Sequence, residues 1–158
     1  MKLRVCGCVL AILVGSVACH RPPPAVLNQD LVLPSKPSGA KSQVIFVHGV
    51  TGDPVTTYGT ADLNWPTILA HDPEFGTHTD VMSVGYESNA ISATSNINEI
   101  ATRLLNRLID NGVFDRHDRI AFVVHSMGGL IVKRMLVQLR SDRPDLYQRV
   151  AGVVFLAT

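Results

Sequence analysis

The stretch Arg119-Ile120-Ala121-Phe122-Val123-Val124-His125-Ser126-Met127-Gly128-Gly129 decides the fold. Its first half is a β-rich run in which Ile120, Phe122, Val123 and Val124 leave neither face polar. That pattern suits a strand buried between covering layers. Beyond Ser126 the period changes: Leu130, Ile131, Met135 and Leu136 recur at helical spacing and predict a helix that ends near Ser141. A strand running into a helix through a short glycine-bearing turn is half of a βαβ unit.

The rest of the chain repeats the alternation. Gln43 to Val47 and the weaker Asp80 to Tyr86 read as strands, and Val150 to Ala157 is a fourth run with no charge in it. Ile97, Ile100, Ala101, Leu104, Leu105 and Leu108 give one apolar helical face. Asn96 with Glu99 resembles a capping pair for that helix, and Asn111-Gly112 is its stop signal. Asn64 is expected to cap a short helix around Trp65-Pro66 that includes Ile68 and Leu69. Strands alternating with helices predict an α/β fold, a parallel sheet with flanking helices.

Composition agrees with one globular domain: 158 residues, 46% hydrophobic and 17% charged. A disordered chain needs the opposite balance. With 14 basic residues against 13 acidic ones, binding of nucleic acid by bulk charge is excluded. There is neither a phosphate-loop lysine signature nor a Gly-x-Gly-x-x-Gly turn after a strand, which argues against a nucleotide-binding α/β protein. No His, Asp, Glu or Cys cluster has metal-ligand spacing, so neither a metal nor another cofactor is expected.

The N-terminus reads as an export signal over residues 1–18. Lys2 and Arg4 precede an apolar run from Val5 to Val17, too short for a membrane-crossing helix of about 20 residues. Ser16-Val17-Ala18 supplies small residues at the positions a signal peptidase reads, and Cys19 follows. Ala18-Cys19 resembles the junction at which a bacterial lipoprotein is cut and acylated, although Ser16 stands where Leu, Val or Ile is usual. Ordinary cleavage, leaving a free cysteine and a periplasmic or secreted protein, is the other reading. The lipoprotein reading is preferred: an exported chain, held at the cell envelope membrane by lipid on Cys19. Cleavage would take the formal charge from +1 to −1 by removing Lys2 and Arg4. Cys6, Cys8 and Cys19 are the three cysteines, so the folded part holds no disulfide.

Residues 19–41 then read as the acylation site and a linker. Five of the nine prolines fall there, at Pro22, Pro23, Pro24, Pro34 and Pro37. Such density favours extended chain. Leu31-Val32-Leu33 either docks on the domain or is a sticky patch in the spacer. The domain itself is expected over residues 42–158.

The chemistry gathers at Ser126. A serine between strand and helix sits on a sharp, strained turn that lifts its hydroxyl above the sheet. The turn wants small residues two before and two after the serine. Gly128 meets this, while Val124 stands where glycine is usual and is expected to open the turn somewhat. At the end of the first strand, His48-Gly49-Val50 and then Thr51-Gly52 form a loop that can aim a backbone N–H into the same place. The N–H groups of Val50 and Met127 would together make an oxyanion hole.

With these residues in view the chain resembles the α/β-hydrolase superfamily, and within it the serine esterase/lipase-like group. The resemblance covers about Ser42 to Thr158. It rests on Val44-Ile45-Phe46-Val47-His48-Gly49, on Val124 to Leu130, and on Gly152-Val153-Val154-Phe155-Leu156-Ala157-Thr158. It implies Ser126 as nucleophile, Val50 and Met127 as oxyanion donors, and hydrolysis or acyl transfer on ester or lipid substrates. His48 and Gly49 shape the oxyanion loop, His125 packs beside the site, and Gly128 supports the turn.

In this fold the acid and histidine of the triad follow the serine, yet no histidine occurs between Ser126 and Thr158. Asp142 and Asp145 lie downstream, and Asp142 is expected to cap a short helix opened by Pro144. His71, His78 and His117 are expected in solvent or at local caps. Val150 to Ala157 also reads as an interior strand with nothing after it to cover it. The expectation is therefore an incomplete α/β-hydrolase fold, the N-terminal portion of a longer hydrolase or a truncated product, inactive as these 158 residues. A non-catalytic lipoprotein that keeps the scaffold for binding is the alternative.

Overall fold

The computed structural model describes residues 25–26, 31–33, 38–86 and 97–158. The signal-like segment, Cys19, most of the proline-rich stretch and Asn96, and with it the expected capping contact to Glu99, lie outside the described residues.

The sheet opens with two short strands, β1 (Ala25–Val26) and β2 (Leu31–Leu33), paired antiparallel. Four parallel strands follow: β3 (Ser42–Val47), β4 (Thr79–Val84), β5 (Arg119–His125) and β6 (Val150–Leu156). Their order in space is β1-β2-β4-β3-β5-β6, with β2 antiparallel to β4. The expected parallel sheet is thus present with an antiparallel extension. That extension comes from the stretch read as linker, because Leu31 and Val32 bury their side chains and take Val84 and Ser83 as ladder partners. A triplet of apolar residues among prolines is enough for one short edge pairing.

The helices are α1 (Trp65–His71), α2 (Ile97–Asp110), α3 (Val113–Arg116), α4 (Met127–Asp142) and α5 (Pro144–Tyr147). Asn64 caps α1, its Oδ1 accepting from the Thr67 N–H at 2.9 Å. The stop signal after α2 works through Gly112, whose φ of +64° is left-handed and costs glycine little. α2 lays Leu104, Leu105 and Leu108 against Ile131, Met135 and Leu139 of α4 and the strand residues Ile45, Phe122 and Val124. Each such buried side chain contributes about 1.5–3 kcal/mol. The other face of the sheet holds a smaller cluster, Phe46, Tyr58 and Val81 with Leu69 of α1.

One expectation needs correction, and another is met in a buried setting. Asp142 is the last residue of α4 and does not cap α5; Arg143 takes that position, and its guanidinium pairs with Asp145 at 2.8 Å. A proline at the first helical position left room for the cap one residue later than the sequence suggested. His117 does close α3, with Nδ1 facing the Val113 carbonyl at 2.8 Å, but it is buried. Its Nε2 faces the Asp80 carboxylate at 3.1 Å, and Ser38 donates to the same carboxylate through both its N–H and its hydroxyl. This cluster ties the approach to β3, the start of β4 and the entry to β5 at the N-terminal end of the sheet.

β6 lies at the outer position beside β5, and most of it is exposed, including Val154 and Phe155. The Lys133 ammonium of α4 sits 4.6 Å from the centre of the Phe155 ring.

Candidate active site

The chain leaves β3 toward β4 on one side, while β5 lies on the other. The order therefore reverses at β3, and in open α/β sheets the crevice at the carboxyl ends of such strands is where ligands bind. Two loops meet there: Gly49 to Gly52 after β3, and the turn at Ser126 after β5.

Ser126 takes φ 52° and ψ −128°, a conformation that L residues avoid, at the head of α4. Its hydroxyl makes no capping bond to the helix. The strain is held from outside: its N–H donates to the Leu156 carbonyl at 2.9 Å, and the Thr158 hydroxyl donates to its carbonyl at 3.1 Å. Val124 is accommodated without glycine because its side chain is buried in the core shared with α2 and α4. Gly128 is required on other grounds. A Cβ there would lie 2.7 Å from the Val47 carbonyl oxygen and closer still to that of His48, so the first turn of α4 rests directly on the end of β3. Gly129 makes the same allowance for the Thr158 side chain.

Gly49 brings the other loop in. A Cβ on it would fall 2.8 Å from that of Ser126 and 3.3 Å from the His125 Nδ1. Gly49 and Gly52 close a turn, Gly52 N–H to Gly49 carbonyl at 3.2 Å, with Thr51 at φ 57° inside it. Among the described residues neither the Val50 N–H nor the Met127 N–H donates to a protein acceptor. Asp53 then fixes the next turn by accepting from the Val55 and Thr56 N–H groups and the Thr56 hydroxyl. Burial alone would raise its carboxyl, but these hydrogen bonds win and hold it below the usual carboxylate range.

His48 is 1% exposed and both its ring nitrogens are engaged. The Tyr86 N–H donates to Nε2 at 3.2 Å, which leaves the proton on Nδ1 to donate to the Gly49 carbonyl at 2.8 Å. The Gly49 carbonyl and the Val50 N–H belong to one planar trans peptide, so fixing the first aims the second the opposite way. The structure thus brings together His48, Gly49, Val50, His125, Ser126, Met127 and Gly128. It keeps apart His117, at the far end of the sheet, His71, bonded to the Thr67 carbonyl, and His78, which is exposed. Cys19 is outside the described residues.

Tyr58 and Tyr86 carry polar roles that the sequence analysis did not identify. The Tyr58 hydroxyl donates to the Val47 carbonyl at 2.7 Å, and that of Tyr86 donates to the His48 carbonyl at 2.7 Å. The available signal for Tyr86 was topological: it lies two residues past the end of β4, the parallel neighbour of β3, and so level with His48-Gly49.

Over residues 38–157 the chain matches the family described as "Putative serine esterase (DUF676)". It belongs to that family. Among curated relatives of this serine esterase domain, Protein SERAC1 of Danio rerio is 30% identical, the match covering 73% of this chain and 21% of that protein. The chain therefore spans about a fifth of the relative's length. A crystal structure of inhibited esterase B from Lactobacillus rhamnosis superposes at 18% identity with a TM-score of 0.47, covering 74% of this chain and 37% of that one. Among the described residues no group of His, Cys, Asp and Glu is arranged to hold a metal, and no helix is long and apolar enough to cross a membrane.

Proposed function

We propose that this serine esterase domain carries the nucleophile and oxyanion hole of a carboxylic-ester hydrolase, with Ser126 as nucleophile and the N–H groups of Val50 and Met127 as oxyanion donors. The observation that carries the reading is the strained Ser126 at the head of α4, its hydroxyl spared from capping, with the Gly49 loop drawn against it. In the step proposed, Ser126 Oγ attacks the ester carbonyl and gives up its proton to a histidine base. The carbonyl oxygen gains the negative charge and is met by two N–H groups, the alcohol leaves, and water releases the acid. An oxyanion donor of this kind contributes roughly 3 kcal/mol to the transition state. The positive end of α4 favours the same charge.

The base is not assigned to a described histidine: His48 uses both ring nitrogens, His71 bonds its own helix, His117 lies at the other end of the sheet, and among the described residues neither His78 nor His125 bonds the Ser126 hydroxyl. The 158 residues alone are accordingly expected to give no ester turnover above background. Turnover of a p-nitrophenyl ester that disappears on Ser126→Ala would demand an unrecognised base. The reading as a whole is tested on the product of the whole reading frame with a fluorophosphonate probe. Labelling of Ser126, lost in Ser126→Ala, supports it; an unlabelled serine favours a scaffold kept for binding.

Export and lipid attachment at Cys19 belong to the same proposal, supported by the basic start, the apolar run and the Ala18-Cys19 junction. They place the enzyme at the cell envelope, facing ester or lipid substrates. Metabolic labelling with an alkyne fatty acid, abolished by Cys19→Ser, is the expected result, and a soluble unlabelled product would refute it.

A further inference from the structure

We infer that Tyr58 and Tyr86 are positioning residues, a pair of phenols that hold the consecutive carbonyls of Val47 and His48 and so set the oxyanion loop against the nucleophile turn. The inference rests on the reaction proposed above and adds residues outside its immediate chemistry.

The two carbonyls are the ones against which Gly128 packs, so they define how close α4 and its serine come to β3. Each is met by a phenol hydroxyl at 2.7 Å. Tyr58 does more than cap one strand. Its hydroxyl also lies 3.1 Å from the Val123 carbonyl, so one oxygen touches the ends of both β3 and β5, the two strands that deliver the oxyanion loop and the serine. A hydroxyl has a single proton, which makes the shorter contact the bond and the longer one its weaker branch. The Tyr58 ring is anchored edge-on to Phe46 with centroids 4.9 Å apart.

Tyr86 acts on the same peptide run from the other side. Its ring stacks on the imidazole of His48 at 4.3 Å and 4°. Its N–H occupies Nε2 while its hydroxyl takes the His48 carbonyl. Three contacts thus hold one histidine, and that histidine holds the Gly49 carbonyl, whose peptide ends in the Val50 N–H. Burial pushes both phenols above their ordinary range, so they remain protonated donors wherever an esterase would work.

Tyr58→Phe and Tyr86→Phe remove one oxygen each and leave the rings in place. In the product of the whole reading frame, kcat for a p-nitrophenyl ester and the rate of Ser126 phosphonylation should fall by about 10- to 100-fold, the scale of a small misplacement. KM should stay nearly constant, since no substrate contact is lost. Activities are compared well below each variant's melting midpoint. A lower midpoint with kcat unchanged marks a purely structural role and overturns the inference. Amide hydrogen exchange reads the clamp without any turnover: the Gly52 N–H, bonded to the Gly49 carbonyl, should exchange faster in both variants while the amides of α2 stay unchanged. Unaltered exchange in the loop overturns the inference whatever the enzyme does. A wild type that fails to label, with exchange accelerated in the variants, sinks the esterase reading and leaves the clamp standing.

Discussion

A methyl group at position 128 would sit 2.7 Å from the Val47 carbonyl oxygen, in backbone that cannot move aside. Gly128→Ala is therefore expected to lower stability by about 1–3 kcal/mol, the usual cost of overpacking, and urea unfolding would measure it. Ser126 offers the opposite experiment. Its φ of 52° with ψ −128° is a strain of roughly 1–3 kcal/mol that glycine escapes and alanine does not. Ser126→Gly should raise the unfolding free energy by about 1 kcal/mol over Ser126→Ala while both lose the hydroxyl. Equal midpoints for the two would show that the turn is unstrained. The roles at this scale were unevenly legible. Ser126, Gly128 and the Gly49 loop stand out because their spacing follows a strand and precedes a helix. Tyr58 and Tyr86 do not, because a phenol that bonds a backbone carbonyl leaves no pattern in neighbouring residues.

Elements were legible wherever a period runs through several residues. β3, β4, β5, β6, α2 and α4 all fall where apolar spacing put them, within a residue or two at the ends. What escaped were features made by partners far apart in sequence. Leu31–Leu33 is too short for periodicity to distinguish strand from spacer, and only its pairing with β4 makes it one. The Asp80, His117 and Ser38 cluster joins positions separated by 37 and 42 residues. It fastens three elements at the end of the sheet opposite Ser126. Asp80→Ala leaves the buried His117 ring without its partner and frees Ser38, and should cost about 1–3 kcal/mol, read as a fall in melting midpoint. If that midpoint held within the error of the measurement, the cluster would be incidental to the fold. The Ser126 site should suffer no specific loss beyond that general weakening.

For the molecule as a whole, the notable asymmetry is between the two edges of the sheet. One side ends in the short antiparallel pair β1 and β2, while β6 presents seven uncharged residues, with Val154 54% exposed. Natural edges usually carry a charge or a proline to prevent pairing between chains. Val154→Lys supplies one. The 158-residue chain is expected to associate with rising concentration in sedimentation velocity, and the variant to remain monomeric with stability changed by no more than about 0.5 kcal/mol. An unmodified chain that stays monomeric throughout would show that the edge is adequately protected as it is. β6 matters in another way, through time. The bonds that hold Ser126 in shape come from Leu156 and Thr158, the latter 32 residues further on. During translation the serine leaves the ribosome well before the strand that bends it, and domains assemble only as their parts emerge. Until β6 arrives the turn is free to relax to an ordinary backbone, so the serine is made slack and tightened only once β6 has joined the sheet.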